Sequence, residues 1–482
     1  MGSVQATEVL EPLRLAPAAA PAWQRVLPRL PAIRLAGLYR RELNIAEASF
    51  VLMASFFTSA VLGALRQVLF NAQFGTGLEA NAYYAAFRLP DTLFSLIAGG
   101  ALSSAMIPVL LGATRSQGSQ AGWRLTNLVL TTLLAVFALV VLLGEFFAPA
   151  FVRGLLAPGF DPETTLLTVR LTRLMLFQPL ILAIGSVATA VLNSRNQFVP
   201  TALSVLGHNI ALILGILAAG QYPALGIYGP TLGVVGGAIL QVLILLPGLG
   251  GQGLGFSLAW NLADKQLREI VRLLIPNGLS VSINYAGFIV DTAFASKAAE
   301  LAGLPALYNA WLLVGLPIAL LGQAIGQAAF PRLAAHAEAA DWVQMRRSLY
   351  RSLGAAIGLA IPAAAGLILV GRSVIRILFE RGKFDALAGD LTYDVLLVYA
   401  LALPAYVATE LVTRGLIALR DTRTPLATNT LQLIGRAAVM AVLIPRLGVV
   451  AVPAAFALTA TAETLALTAS LLVKLRKLIG LH

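Results

Sequence analysis

The residues of this sequence that could do chemistry are charged side chains inside long apolar segments. Arg66 follows Gly63 in the first such segment, where we expect a helix to end or bend, and Arg88 and Asp91 flank Pro90 in the second. A charge at the centre of a lipid bilayer costs about 2.5–3.5 kcal/mol, so such residues normally face a partner or a watery cavity. Arg88 and Asp91 are three residues apart, so their side chains can meet on one face of a helix.

Four further charged residues lie deep in apolar segments of the second half. Glu410 and Arg414 are four residues apart, in the order that favours a helical ion pair, so we expect a structural pair. Asp291 and Arg436 have no opposite charge within one helical turn. Because an unpaired buried charge is strongly destabilising, we expect that Asp291 either binds a transported cation or proton or pairs with Arg436.

The composition excludes a string of soluble domains. Charged residues make up 12% of the 482 positions and hydrophobic residues 58%, whereas a typical soluble chain is about 25% charged. Residues 125–144 carry no charge, and twenty helical residues span about 30 Å, which is the thickness of the hydrocarbon layer. No Asp, Glu, Lys or Arg occurs between Arg195 and Asp264. The sequence therefore predicts an all-α, polytopic membrane protein.

Other residue types exclude most catalytic functions. The chain has no cysteine, and its three histidines are far apart in sequence, so thiolate chemistry and His-rich metal sites lack ligands. No Walker-type loop or catalytic constellation occurs, so we expect no bond chemistry, no metal and no cofactor. The net charge of +12 comes largely from Lys and Arg in predicted loops. The positive-inside rule explains this placement, so we expect no nucleic-acid partner.

Apolar windows bounded by turn signals predict about twelve transmembrane helices. They cover roughly 47–69, 82–110, 125–148, 166–192, 199–219, 227–247, 268–295, 307–331, 350–371, 391–418, 427–445 and 449–473. With the N-terminus in the cytoplasm, 21 of the 34 Lys and Arg residues fall on the cytoplasmic side, 7 on the opposite side and 6 inside spans. This bias predicts that both termini face the cytoplasm.

The spans divide the chain into five parts. These are a basic N-terminal segment (1–45), a first lobe of six helices (46–250), a cytoplasmic linker (251–267), a second lobe of six helices (268–475) and a cytoplasmic tail (476–482). Within the first part, residues 23–43 mix Arg with Leu, Val and Trp. This stretch either lies on an anionic membrane surface or forms a loosely ordered basic leader.

Three pairs of matching motifs indicate that the two lobes are repeats. The pairs are GGALSSAMIPVL (99–110) with GQAIGQAAFPRL (322–333), RNQFVP (195–200) with RDTRTP (420–425), and PGFD (158–161) with GKFD (382–385). In each pair the second motif follows the first at nearly the same distance along the chain, which we call the repeat offset. Six spans per repeat give both lobes the same orientation, so an axis along the membrane normal relates them, as in transporters that rock about a central cavity. The alternative is a duplicated bundle without a cavity.

Longer motifs resemble a known family. The stretch VLGALRQVLFNAQFGTGLEANAYYAAFRLPDTLFSLIAGGALSSAMIPVL (61–110) is similar to the first two helices of the MurJ/MviN lipid II flippases, which belong to the multidrug/oligosaccharidyl-lipid/polysaccharide (MOP) exporter superfamily. Further matches follow in order as LLAPGFD (155–161), LNSRNQFVP (192–200), FASKAAELAGLPALYNAWLLVGLPIALLGQAIGQAAFPRL (294–333), LFERGKFDA (378–386) and ALRDTRTP (418–425). Together they cover roughly residues 46–475.

The resemblance implies a V-shaped, MATE-like pair of six-helix lobes in the bacterial cytoplasmic (inner) membrane. It implies that an arginine-bearing cavity binds the diphosphate of an undecaprenyl-linked peptidoglycan precursor and turns the lipid across the membrane by alternating access. Arg66 and Arg88 would then contact the anionic headgroup, with Asp91 orienting Arg88, because arginine is a good partner for a diphosphate. Alternatively, Arg66 caps a helix at the interface, and Arg88 and Asp91 only neutralise each other. Expected partners are the lipid-linked substrate, membrane lipids and enzymes of peptidoglycan synthesis.

The chain also departs from the family pattern at cavity positions. Ala60, Ser95 and Leu312 align with arginines of the family, Gln67 with an aspartate, and Gly99 with an acidic residue. A diphosphate site would lose about 1.5–3 kcal/mol with each missing charged donor. Two alternative functions therefore remain, an ion-coupled exporter of small amphipathic or cationic compounds and a non-transporting scaffold for envelope synthesis. For transport, the sequence favours coupling to H+ or Na+ or to the membrane potential.

Overall fold

The computed structural model describes residues 41–98, 101–249, 256–298 and 302–480, together with residues 37, 39 and 300. These ranges are helical and contain no strand. Most of the predicted surface segment 23–43 lies outside the described residues, as do Gly99 and the end of the predicted tail.

Fifteen α-helices occur in the described ranges, and an Asn44–Glu47 capping box starts the first. The first repeat contains α1 (Ile45–Phe74), α2 (Leu78–Ala98), α3 (Ala101–Gln117), α4 (Ser119–Phe151), α5 (Pro162–Met175), α6 (Phe177–Ser194), α7 (Val199–Gln221) and α8 (Tyr228–Leu249). The second contains α9 (Lys265–Ala295), α10 (Gly303–Pro317), α11 (Ile325–Glu338), α12 (Trp342–Leu378), α13 (Ala386–Ala418), α14 (Arg423–Leu447) and α15 (Ala451–Ile479). Wider π-helical turns follow α4 (Val152–Leu156) and α10 (Ile318–Ala324).

Nine stretches of the described chain are long and apolar enough to cross a membrane. The longest, Arg423–Ile479, has 57 residues and comprises α14 and α15, which are separated by the turn Gly448–Val450. The predicted second span corresponds to α2 and α3, and the predicted seventh, α9, contains a shorter apolar stretch, Tyr285–Ala295. Within the described residues, each of the twelve predicted spans thus coincides with helix, and the expected all-α, polytopic membrane protein is confirmed.

Local backbone features recur at matched positions of the two repeats. Asp161 and Asp385, which are separated by the repeat offset, are the N-caps of α5 and α13, and each side chain accepts hydrogen bonds from the first helical turn. Asn196 and Arg420 have the same separation, and both have left-handed backbone, with φ angles of 58° and 59°. The equal geometry supports the internal repeat that the motifs predict.

The apolar cores show that the repeats meet at one end of the bundle and separate at the other. One large buried cluster contains residues of both repeats, including Phe70 and Phe74 of α1 and Phe379 and Phe384 near the end of α12. We call this end, which carries the loops 75–77, 157–161 and 379–385, the shared face. At the opposite end, the parted face, which carries the loops 195–198, 339–341 and 419–422, the clusters are separate. This arrangement is the V shape that the resemblance implies.

The parted-face clusters follow the repeats with one exception. One contains residues of α3, α4 and α6, and the other contains residues of α11, α12, α13 and α15. Leu267 and Ile270, in the first turns of α9, pack into the cluster of the first repeat. Helix α9 therefore touches both repeats, and the predicted lobe boundary between residues 250 and 268 stays a prediction.

Two reciprocal hydrogen bonds, each donated by a backbone N–H group, hold the shared face together, and we call them the glycine latch. The Gly159 N–H donates to the Ser296 hydroxyl (3.1 Å), and the Lys383 N–H next to Gly382 donates to the Ala72 carbonyl (2.8 Å). A Cβ atom at Gly159 would collide with the Ser296 carbonyl oxygen, and one at Gly382 with that of Ala72. The two glycines, like their two partners, are separated by the repeat offset to within one position, so each repeat supplies one glycine and one partner.

A side chain at Gly159 should therefore force the shared face open without straining its own turn, because Gly159 does not have a positive φ. We expect Gly159→Ala to lengthen the distance between spin labels on Gly77→Cys and Arg381→Cys, measured by pulsed electron paramagnetic resonance. The chain has no native cysteine to interfere with labelling. The matched control is Gly154→Ala, since Gly154 has open space around it. An unchanged label distance in Gly159→Ala would contradict the latch.

Candidate functional site

Arg66 lies where the two repeats touch. Helix α1 runs unbroken from Ile45 to Phe74, because Gly63 keeps helical geometry, so the expectation that the helix ends at Arg66 is wrong. Arg66 consequently does not cap a helix end. Its Nη2 donates to the hydroxyl of Tyr308 on α10, at 3.4 Å, so it reaches from the first repeat to the second.

A buried amide cluster lies beside Arg66. Gln67 Nε2 donates to the Tyr84 hydroxyl (2.5 Å) and to Asn309 Oδ1 (2.7 Å), and Asn71 Nδ2 donates to the same Asn309 oxygen (3.0 Å). All four residues are buried. Since leaving a buried polar group unbonded costs about 1–3 kcal/mol, these bonds favour contact between the repeats.

Two clefts flank this contact. The first encloses about 350 Å³, including space open to solvent, and is lined by Arg66, Gln67, Phe70, Tyr83, Tyr84, Phe87, Leu212, Ile216 and Tyr308. The second encloses about 300 Å³ on the same basis and is lined by Arg88, Phe288, Asp291, Thr292, Leu304, Leu307, Trp311 and Tyr399. Gln67 of the first cleft and Asp291 of the second are separated by the repeat offset, so the clefts occupy matched places in the two repeats.

Aromatic rings rather than a carboxylate hold Arg88. Its Cζ atom lies 5.2 Å from the ring centre of Phe288 and 5.6 Å from that of Tyr308, both in the second repeat. None of the ion pairs among the described residues joins Arg88 to Asp91. The two side chains therefore form no direct ion pair, since Arg88 extends across the interface towards the second repeat. Asp91 still interacts with Arg88 electrostatically, and its orienting role stays a prediction.

Asp291 and Arg436 come together as a buried ion pair between α9 and α14. Each residue is 7% exposed, and the Arg436 guanidinium also lies 4.8 Å from the ring centre of Phe456. Gly287, one turn before Asp291, leaves room for the guanidinium. Of the two outcomes expected for Asp291, the structure contains the pair with Arg436. Asp291 Oδ1 and Arg436 Nε are buried without a hydrogen-bond partner.

The predicted pair of Glu410 and Arg414 is also present, with 3.7 Å between Oε2 and Nη2. It packs against the π-helical turn and α11, where Gly322 and Gly326 leave space for the two side chains. Glu463 on α15 is a carboxylate that the sequence reasoning overlooks, and it accepts a long hydrogen bond from Thr428 (3.5 Å).

The partners divide these arginines into two kinds. Arg414 and Arg436 form ion pairs with carboxylates, which cancel their charge, whereas the direct partners of Arg66 and Arg88 are a hydroxyl and aromatic rings. The Asp91 carboxylate interacts with both of these arginines electrostatically but forms no ion pair with either. A guanidinium with neutral partners keeps its charge available for an anion. The structure thus brings Arg66 and Arg88 together around Tyr308, a residue that the charge-based sequence reasoning does not identify. Polar residues within apolar spans, such as Gln67 and Asn309, were the available signal.

The structure places the three positions that the resemblance aligns with arginines in different surroundings. Ala60 is exposed on α1, Ser95 is buried, and Leu312 packs against the shared core. Arg436 does not replace a missing donor, because Asp291 binds it.

The fold and the clefts define the class of protein. A solved lipid II flippase MurJ in an inward closed conformation is similar to this chain at a TM-score of 0.75 and 23% identity, covering 88% of this chain and 87% of the other. An inward-facing multidrug resistance MATE family transporter of the MOP superfamily is similar at a TM-score of 0.75 and 13% identity, covering 88% and 95%. At these identities the likeness concerns the fold, which is that of a two-lobed MOP-type transporter.

Sequence comparison is more specific. A family model described as lipid II flippase MurJ matches residues 70–481. A probable lipid II flippase MurJ of Rhizobium tropici is 27% identical over 392 residues, which is 80% of this chain and 73% of the relative. The chain belongs to the lipid II flippase MurJ family.

The buried pair predicts a strong effect on stability. Arg436→Met leaves the Asp291 carboxylate buried and unpaired, and we expect a loss of about 3–5 kcal/mol in the free energy of unfolding. Adding Asp291→Asn should recover part of that loss. The matched control is Arg414→Met, whose pair is more exposed and should cost about 1 kcal/mol or less. Denaturant unfolding in detergent compares the wild type, Arg436→Met, Asp291→Asn, the double variant and Arg414→Met, and strictly additive effects of Arg436→Met and Asp291→Asn would contradict the coupling.

Proposed function

We propose that this protein is a flippase for a lipid-linked precursor of the undecaprenyl-diphosphate type, carrying a peptidoglycan or saccharide headgroup. It moves this lipid across the bacterial cytoplasmic membrane by alternating access, without making or breaking covalent bonds. Family membership supports the substrate class, since the family model is described as a lipid II flippase.

One observation carries the proposal. Arg66 and Arg88 lie in clefts between the repeats, and both are held by neutral partners of the second repeat. A diphosphate offers several charged oxygens to two such guanidinium groups, and charge-assisted hydrogen bonds of this kind are the strong ones. In this proposal a headgroup reaches them from the parted face, where the core clusters of the two repeats are separate.

The positive-inside count supports a cytoplasmic parted face, with both termini in the cytoplasm. In that orientation the glycine latch closes the outer side, and the clefts accept substrate from the inner leaflet. We infer that membrane lipids surround the two lobes and that enzymes of peptidoglycan synthesis supply and consume the substrate.

A cation gradient, of H+ or Na+, or the membrane potential supplies the energy in this proposal, because the sequence has no Walker-type nucleotide loop. A second candidate, an ion-coupled exporter of small amphipathic or cationic compounds, is favoured by the carboxylates of the second repeat. Asp291 borders the second cleft, and Glu410 is partly exposed. The engagement of both carboxylates with arginines speaks against it.

Removal of either cleft arginine should reduce flipping. We expect Arg66→Ala and Arg88→Ala each to lower the affinity for a lipid diphosphate about tenfold to a hundredfold, which corresponds to one lost charged hydrogen bond. The tests are rescue of a bacterial strain depleted of its lipid II flippase and flipping in proteoliposomes. The matched control is Arg170→Ala, because Arg170 is an exposed arginine on α5. Full rescue by stably inserted Arg66→Ala and Arg88→Ala proteins, or no rescue by the wild type, would reject the proposal.

The role of Asp291 in coupling has its own test. If a cation or proton drives flipping through Asp291, Asp291→Asn should abolish the dependence of the flipping rate on the Na+ or pH gradient. Flipping in proteoliposomes with imposed gradients measures this dependence, and Glu410→Gln serves as the control. Gradient dependence that survives in Asp291→Asn would leave the residue a purely structural partner of Arg436.

A further inference from the structure

Tyr308 contacts both cleft arginines with different parts of one side chain. Its hydroxyl accepts the hydrogen bond from Arg66 (3.4 Å), and its ring lies 5.6 Å from the Arg88 guanidinium carbon. Both arginines belong to the first repeat, whereas Tyr308 belongs to α10 of the second. A single neutral residue therefore fixes the direction of two charged groups that approach it from the other lobe.

Tyr308 also occupies a special place in the repeat. Its ring lies 4.7 Å from the ring of Tyr84, and the repeat offset separates the two residues along the chain. Residues that are related by a two-fold axis and touch each other must lie next to that axis. The two hydroxyls nevertheless have different partners, since that of Tyr84 accepts from Gln67 and that of Tyr308 accepts from Arg66.

We propose that Tyr308 is the positioning residue that presents Arg66 and Arg88 together to the anionic headgroup, and that it makes the affinity for the anion depend on closure of the shared face. This inference deepens the proposed function and rests on it for the nature of the substrate. A carboxylate at this position would hold the arginines but cancel their charge, whereas a tyrosine holds them and leaves the charge to the ligand.

Opening of the shared face moves α10 away from α1 and α2. Tyr308 then leaves both arginines at once, so Arg66 loses its hydroxyl partner and Arg88 loses one of the two rings that it contacts. Two guanidinium groups without a common support bind one diphosphate less well, because part of the binding free energy is then spent on ordering them. The inward-open state consequently binds the headgroup tightly, and the outward-open state releases it.

The test compares binding of two lipids in nanodiscs, undecaprenyl diphosphate and the neutral undecaprenol. In the wild type we expect a preference for the diphosphate. Tyr308→Phe removes the hydroxyl and should reduce that preference about threefold to tenfold, and Tyr308→Leu removes the ring as well and should reduce it further. In Tyr308→Phe, which keeps the ring, affinity for undecaprenol and the melting temperature should stay unchanged. The matched control is Tyr393→Phe, which removes a hydroxyl that donates to the Ile368 carbonyl within the second repeat (2.6 Å).

A double-mutant cycle separates positioning from general packing. In an Arg66→Ala background, Tyr308→Phe should cause no further loss, because the hydroxyl acts through Arg66. An unchanged diphosphate preference in Tyr308→Phe and Tyr308→Leu, an equal loss for both lipids, or a full Tyr308→Phe effect without Arg66 would overturn the inference. If Tyr308→Leu does not fold, the Tyr308→Phe cycle decides alone. A wild type that prefers the diphosphate lipid but fails to rescue the depleted strain would reject the proposed function and leave the role of Tyr308 intact.

Discussion

An arginine within an apolar span must have a partner, and the chemical nature of that partner decides what the arginine does here. Carboxylates bind Arg436 and Arg414 and turn them into parts of the scaffold. A tyrosine hydroxyl and aromatic rings hold Arg66 and Arg88 without cancelling their charge. Both solutions avoid a bare charge in hydrocarbon, but only the second leaves a cation to bind a substrate. The sites around Arg66 and Arg88 need both repeats, because the hydroxyl and the rings that contact these arginines belong to the second repeat.

The contact between the repeats is built from groups that favour one defined closed state. At the shared face, Gly159 and Gly382 allow backbone atoms of the two repeats to approach, and a larger residue would collide with a carbonyl group that cannot move alone. Deeper in the bundle, the amides of Gln67 and Asn71 both donate to the buried Asn309 oxygen, which loses both bonds when the repeats separate. Both devices lie away from the parted face, where the two core clusters are separate and α9 packs into that of the first repeat. The two lobes can therefore separate at the shared face only by breaking these contacts together. An alternating-access transporter requires a closed state of this kind.

Sequence reasoning predicted the scaffold well and the site in part. Twelve apolar windows correspond to helices, and the motif pairs correspond to matched caps and turns, because hydrocarbon requires every backbone group to be bonded within its own helix. The pair of Glu410 and Arg414 was predictable, since both residues lie on one helical face. Arg88 and Asp91 also have a spacing that lets them meet on one helical face, but they form no ion pair, since Arg88 extends across the interface to rings of the second repeat.

The sequence by itself determined what the bilayer imposes, namely the number and length of the spans, the duplication and the scarcity of charges that makes each one informative. These properties depend on local composition and on matches along one chain. Only the tertiary structure decided which of these side chains meet. Asp291 is far from Arg436 along the chain, as Arg66 is from Tyr308, and each pair comes together only when the helices pack. The role that we propose for Tyr308 is likewise invisible in the sequence. Tyr308 is an uncharged residue in an apolar span, and its role depends on contacts with Arg66 and Arg88 of the other repeat.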